Sequence, residues 1–206
     1  MRVGIVGGTG TFGRALAERL AALGHEVVIG SRDPARAAEL AAVYGVEGKV
    51  NADAVRDVDL AVLATKSAAT LDTARDLADA IGETPVLCVA SDLSFEKGGV
   101  LPGTLGTSLA ERVAEILTAP VAAGLQTLAA AHLTQKEPSD QDALICGDDE
   151  DAKQASLELA AQLVAGRAID AGPLANARAL EGLTAVILNV NKRYRAHAGI
   201  RVTGLE

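Results

Sequence analysis

The stretch Met1-Arg-Val-Gly-Ile-Val-Gly-Gly-Thr-Gly10-Thr-Phe-Gly13 decides the fold. Arg2 to Val6 is a short, mostly apolar run that ends in glycines, the form of a buried parallel strand. Thr11 to Leu23 then sets Phe12, Leu16, Leu20 and Leu23 at helical spacing, and Gly24 closes that helix. Between strand and helix lies Gly8-Thr9-Gly10-Thr11-Phe12-Gly13, a G-x-G-x-x-G pattern in the context that gives it meaning. Gly8 is expected to permit the tight turn, Gly10 to let backbone approach a pyrophosphate, and Gly13 to let the helix pack close to the strand. Backbone N–H groups from Thr9 to Phe12 would then face the phosphates at the positive end of the helix.

Outward from this unit the chain alternates. Strands are expected at His25–Ile29, Leu60–Ala64 and Pro85–Val89, with helices from Asp33-Pro34 through Val43 and from Ala68 to Ala80. That order specifies an α/β fold, a Rossmann-type doubly wound parallel sheet. Further on, the pattern predicts a helix over Ser108–Leu117, a strand at Pro120–Ala123 and a polar loop over Thr134–Asp142, leaving Leu125–Leu133 unassigned. A strand at Ala143–Cys146, a helix from the acidic run Asp148–Asp151 to Val164, a strand at Ala168–Asp170 and a closing helix from Pro173 to about His197 follow. The chain reads as one domain over residues 1–206. Residues 1–90 form its dinucleotide-binding half, and 91–206 supply a C-terminal sheet extension, an acceptor pocket and the closing helix.

The end of the second strand selects the nucleotide. An NAD site usually places Asp or Glu there for the ribose 2′-OH, whereas this chain has Gly30-Ser31-Arg32. Ser31 can donate to a 2′-phosphate, Arg32 can pair with it through a planar fork, and Arg36 faces the same spot from the next helix. Asp33 is the rival acid, but it stands where a helix needs its N-cap. NADP is the expected dinucleotide.

Composition narrows the rest. The 206 residues carry 19 basic and 27 acidic side chains, a net charge of −8, which argues against a nucleic-acid partner. Two Phe, two Tyr and no Trp leave few stacking platforms. Cys88 and Cys146 sit in apolar runs without metal or redox spacing, so both read as buried reduced thiols of a cytoplasmic protein. His25, His132 and His197 are scattered and no metal is expected; the acidic run at 148–151 reads as compensation of a helix dipole. Ile116 to Gln135 carries no formal charge, but Pro120, Gly124 and Gln126 mark it as strand and loop, so no membrane association is expected.

Beyond the fingerprint, Leu23-Gly-His-Glu26, Ile29-Gly-Ser-Arg32, Asp72-Thr-Ala-Arg-Asp-Leu77, Cys146-Gly-Asp-Asp-Glu150 and Asp170-Ala-Gly-Pro-Leu174 form a series of blocks. With Asn176, Arg178, Glu181, Leu183-Thr184 and Ile187-Leu-Asn189 they resemble, nearly end to end, the NADP reductases that use the deazaflavin coenzyme F420. That resemblance implies reversible hydride exchange between C4 of nicotinamide and C5 of the deazaflavin, with a small-molecule redox co-substrate as the partner. It implies that Thr9 to Phe12, Ser31, Arg32 and Arg36 hold NADP and that Thr65, Lys66 and Ser67 lie by the pyrophosphate and nicotinamide ribose. Ala90, Ser91 and the stretch Gln126 to Ala130 would line the hydride pocket, with Gln126 and Leu128 positioning it. Three places depart from the family. Gln126-Thr-Leu-Ala-Ala130 stands where the family commonly has His-Thr-Ile-Pro-Ala, Lys66-Ser67 stands where it has Pro-Trp, and the loop Ala90–Lys97 differs. An NADPH-dependent reductase of flavin or another small acceptor is the second reading, and a non-catalytic NADP-binding sensor the third. The apolar stripe Leu180, Leu183, Ile187 and Leu188 is the expected homodimer surface.

Overall fold

The computed structural model describes residues 1–205. The first half runs β1 (Arg2–Val6), α1 (Thr11–Ala22), β2 (Glu26–Ser31), α2 (Pro34–Tyr44), β3 (Glu47–Val50), a single turn α3 (Asn51–Ala54), β4 (Leu60–Leu63), α4 (Ser67–Ile81) and β5 (Val86–Cys88). A hairpin follows, β6 (Leu93–Glu96) and β7 (Gly99–Pro102), then α5 (Leu109–Ala114), β8 (Val121–Gly124) and a short α6 (Ala130–Leu133). The chain ends with β9 (Ala143–Gly147), α7 (Glu150–Ala161), β10 (Ala168–Asp170), a 3-10 turn at Leu174–Asn176 and α8 (Ala177–Tyr194).

Eight strands form one sheet in the order β10-β9-β8-β5-β4-β1-β2-β3. Neighbours from β3 across to β8 are parallel, with β1 between β2 and β4; β9 pairs antiparallel with β8, and β10 parallel with β9. The doubly wound sheet therefore holds, with a correction: its C-terminal extension runs opposite to the rest. The cause is the return path, because the segment after β8 carries only the small α6 before β9 lies down beside β8.

The strands sort their side chains with period two. Val3, Ile5, Val27, Ile29, Leu60 and Val62 face a core shared with α1, α2 and α7, while Val6, Ala61, Leu63, Val86 and Cys88 face one under α4, α5 and α8. Both faces are covered, which is why the central strands read as continuous apolar runs. Cys88 and Cys146 are free thiols, and burial pushes both up to about 12, so neither serves as a nucleophile near neutral pH.

Helix ends follow local chemistry. Asp33 caps α2 by accepting from the N–H groups of Ala35 (3.0 Å) and Arg36 (3.3 Å), with Pro34 in the first turn. Asp149 caps α7 at Ala152 N–H (2.9 Å), and Asp148 accepts from Leu174 N–H (2.9 Å), so the acidic run organises two chain segments. The expected long last helix begins instead as the 3-10 turn, and β3, α3 and the β6–β7 hairpin have no counterpart in the sequence reading. Glu47–Val50 is a half-buried edge strand, and the hairpin carries exposed Phe95 and Leu101, so neither shows the buried apolar pattern that marks the other strands.

Candidate functional site: the glycine loop and the carboxyl ends of the strands

Strand order reverses between β1 and β4, and in such sheets ligands bind outside the carboxyl ends at that point. The loop after β1 has the geometry of a phosphate cradle. Gly7 takes the left-handed turn (φ +78°), and a Cβ in that conformation would meet the Ala64 carbonyl at 2.7 Å. Gly8 donates to the Ile5 and Gly30 carbonyls (3.2 and 3.1 Å), which fastens the loop to β1 and β2. Gly13 permits close helix–strand approach: a Cβ there would lie 2.5 Å from the Gly7 carbonyl oxygen and 2.9 Å from Gly8 Cα. Helix α1 starts at Gly10 without a side-chain cap, leaving its first N–H groups for a ligand. Gly10's own N–H is an exception within the expected Thr9–Phe12 set, since it already donates to the Gly7 carbonyl (2.9 Å).

A cleft of about 210 Å³ opens beside this loop, lined by Thr9, Arg14, Arg36, Glu39, Leu40 and Val43. Ser31 is buried at the end of β2, and its Oγ accepts from Asp33 N–H (3.1 Å), which leaves its O–H free to donate. Arg32 and Arg36 are exposed, and among the described residues neither pairs with a carboxylate. Asp33 is spent as a helix cap. The loop after β4 abuts the glycine loop, with Thr65 N 3.3 Å from the position of a Gly7 Cβ. Thr65 Oγ1 shares a hydrogen bond with Thr70 (2.9 Å), and α4 starts at Lys66 and Ser67 without a side-chain cap, a second helix N-terminus at the switch point.

The acceptor side is built from the loops after β5 and β8. Gln126 is 7% exposed and its Nε2 donates to the Cys88 carbonyl at 3.2 Å, which fixes the amide's orientation. That bond uses one of the two Nε2 hydrogens, and the Oε1 end is buried without a partner. Thr127 Oγ1 is likewise buried and unpartnered. Leu125, just before, is fully buried at φ +65°, a strained conformation for a leucine and of the kind that gathers at functional sites. Leu128 N–H closes the turn onto the Leu125 carbonyl (3.0 Å); the Leu128 side chain joins the core under α1 and Ala130 packs against it, so both support the loop from within.

Helix α8 positions these loops. Thr184 Oγ1 bonds the Gln126 carbonyl (3.0 Å) and approaches Ser91 Oγ (3.3 Å), joining the two loops on which the pocket was expected. Glu181 is buried and accepts from the N–H groups of Leu109 (2.8 Å) and Asp92 (3.1 Å); burial raises its carboxyl pKa above the ordinary value. Asn189 pairs with Val100 of the hairpin through N–H and C=O alike (2.9 and 2.7 Å). A larger cavity of about 450 Å³ lies next to the loop after β5, between the hairpin end at Pro102-Gly103 and the Arg178–Gly182 turn of α8. His132 lies outside these loops: its ring bonds Gln141 Nε2 and the His197 carbonyl, both at 2.8 Å, and ties down the C-terminal tail.

The family model described as NADP oxidoreductase, coenzyme F420-dependent, matches residues 2–91, the half that holds the glycine loop and the loops after β4 and β5. The F420-dependent NADP reductase of Methanothermobacter thermautotrophicus is 34% identical, covering 100% of this chain and 96% of that one. The chain belongs to the F420-dependent NADP reductase family. The enzyme of that name from Methanocaldococcus jannaschii is 33% identical with both chains fully covered. A solved Arthrobacter structure named as an F420-dependent NADP-reductase superposes with a TM-score of 0.87 at 26% identity, covering 99% of this chain and 100% of that one. The match thus spans the antiparallel extension and α8 as well as the nucleotide half. Arg14 and the strained Leu125 are features of the site that the sequence reading passed over. Arg14 carried a signal, a basic residue directly after the third glycine of the fingerprint; the left-handed Leu125 carried none.

Proposed function

We propose that the protein is an oxidoreductase that passes hydride between NADP(H) and coenzyme F420. The observation that carries this reading is the end-to-end likeness to reductases of that name, on a chain whose glycine loop, Ser31 and free arginines suit a 2′-phosphorylated dinucleotide. The fit to the dinucleotide rests on the cradle itself: a Cβ at Gly10 would meet only the Gly7 oxygen at 3.2 Å and otherwise project into open space there, and α1 opens onto it without a capping side chain.

Bound NADPH supplies the hydride from its nicotinamide ring, and a proton from solvent completes reduction of the deazaflavin. This chain's residues bind, orient and keep out water. Thr9, Thr11 and Phe12 present backbone donors to the pyrophosphate, while Ser31, Arg32 and Arg36 take the 2′-phosphate. Thr65, Lys66 and Ser67 close over the pyrophosphate from the β4 side. Ala90 and Ser91 on one loop and Gln126 on the other flank the hydride pocket, held in register by Thr184. Leu128 and Ala130 set the height of that second loop from the core. No metal enters this mechanism.

An assay of purified protein with NADPH and oxidised F420, following both chromophores, tests the reading, with NADH and FMN as controls. Turnover is expected with NADPH and F420 only. Reduction of FMN in place of F420 would favour the second reading, reductase of another acceptor, for which the replacement of Pro-Trp by Lys66-Ser67 speaks. Tight NADPH binding with no acceptor reduced would favour a sensor.

We also infer a homodimer acting in the cytoplasm. The helix expected to form its surface is α8, but the face differs from the one read in sequence: Leu180 and Ile187 are buried in the monomer, whereas Val186 (55% exposed), Val190 (36%) and Tyr194 (69%) form an open stripe. The neighbouring hairpin adds Phe95 and Leu101. No helix among the described residues is long and apolar enough to cross a membrane.

A further inference from the structure

We propose that Arg14 is a second guanidinium for the 2′-phosphate of NADPH, reaching it across the cleft between α1 and α2 from the wall opposite Arg36. The proposal rests on the NADP reading above and adds a specificity-determining residue that the glycine fingerprint does not contain.

Gly13 packs against the β1 loop, and Arg14, the next residue, leaves α1 on a different side and lines the cleft with Thr9. The opposite wall is α2, with Arg36, Glu39, Leu40 and Val43. Thr65, Lys66 and Ser67, which stand at the switch point beyond β1, take no part in lining it. The cleft therefore lies on the β2 side of the glycine loop, the side where Ser31 ends its strand and a ribose 2′ substituent belongs.

Charge points the same way. Arg2, Arg56, Arg75, Arg112, Arg167 and Arg201 each pair with a carboxylate. Arg14 and Arg36 line one cleft and, among the described residues, neither has such a pair; Arg19, Arg32, Arg178, Arg193 and Arg195 are likewise without one, but none of them lines this cleft. Two guanidinium groups lining one cleft of about 210 Å³ offer an anion there two charged partners. A phosphate monoester, doubly charged and rich in acceptors, fits two arginine forks better than one. Glu39 also lines the α2 wall, and a carboxylate in the same cleft opposes a bound anion, which makes the second cation matter more.

Dissociation constants of NADPH, NADH, 2′,5′-ADP and 5′-AMP for the full chain and for Arg14→Ala, Arg14→Gln and Arg36→Ala provide the test, with thermal melts alongside. Arg14→Ala and Arg14→Gln are each expected to weaken NADPH and 2′,5′-ADP by roughly tenfold, the scale of one charge-assisted fork. Both should leave NADH and 5′-AMP within about twofold, since those ligands lack the phosphate that the fork reads. Equal weakening of NADPH and NADH would place Arg14 at the pyrophosphate or in packing and overturn the proposal. Unchanged NADPH affinity in a folded Arg14→Gln variant would also overturn it. A wild-type chain that prefers NADPH marks the NADP reading as sound whichever way Arg14 falls, whereas equal affinity for NADH would sink both.

Discussion

Gly10 and Gly13 stand three residues apart and are glycine for different reasons. A Cβ on Gly13 would run into the Gly7 carbonyl and Gly8 Cα, all backbone, so Gly13→Ala should cost stability, about 1–3 kcal/mol by overpacking, and be read as a lowered melting temperature. A Cβ on Gly10 meets only the Gly7 oxygen at 3.2 Å and otherwise points into open space. Gly10→Ala should melt within a few degrees of wild type yet bind NADPH at least roughly tenfold more weakly, because the added methyl occupies the approach of the pyrophosphate. Equal effects of the two on folding would contradict this division. At this scale the sequence was informative where residue type alone carries the physics. Ser31-Arg32 in place of an acid and Asp33 as a cap both follow from side-chain chemistry and position. The left-handed position at Gly7 lies outside the G-x-G-x-x-G pattern, which names glycines and not their dihedrals. The side-chain orientation of Gln126 depends on the Cys88 carbonyl of a neighbouring strand, which no local pattern encodes.

Among the elements, α8 and the tail behind it do most of the positioning. Residues 195–205 carry no regular structure and are fastened to the sheet extension through Asp142, which is wholly buried. Its carboxylate accepts from Arg167 Nη2 (3.0 Å), Arg167 N–H (2.8 Å) and Val202 N–H (2.8 Å). The Arg167 guanidinium holds that carboxyl well below the ordinary range, at about 2. A depressed carboxyl pKa stabilises the folded state above the unfolded pKa of about 4, and the contribution fades as pH falls toward 2. Asp142→Asn should therefore cost about 2 kcal/mol near pH 7, roughly 4–8 °C in melting temperature, since Arg167 stays partly in water. The gap to wild type should narrow between pH 4 and 2; a gap that stays constant over that range would show that the charge is not what fastens the tail. The polar residues Glu181, Thr184 and Asn189 were visible in the sequence as near-helical points on a closing helix. Their targets, the loops after β5 and β8 and the hairpin, were not, because each bond joins residues 58 to 93 positions apart.

For the molecule as a whole, alternation of strand and helix was enough to place the sheet, since both of its faces are buried and its strands are short and apolar. The reversal of β9 and β10 was not readable, because an apolar run looks the same in either direction. The homodimer proposed from the open stripe on α8 is testable at this scale: light scattering should return about 42 kDa, twice the 20.9 kDa of one chain, and Val186→Glu with Val190→Glu should halve it. A wild-type mass of one chain would contradict the pairing. In the proposed reaction the two halves of this fold bring nicotinamide and deazaflavin together in one site. NADPH deuterated at each face of C4 in turn, mixed with F420 and the protein for a single turnover, tests it through the mass of the reduced deazaflavin. Transfer of deuterium to C5 from one face only is the predicted result. Reduced F420 without label from either face would contradict direct transfer, and with it the site described for this chain.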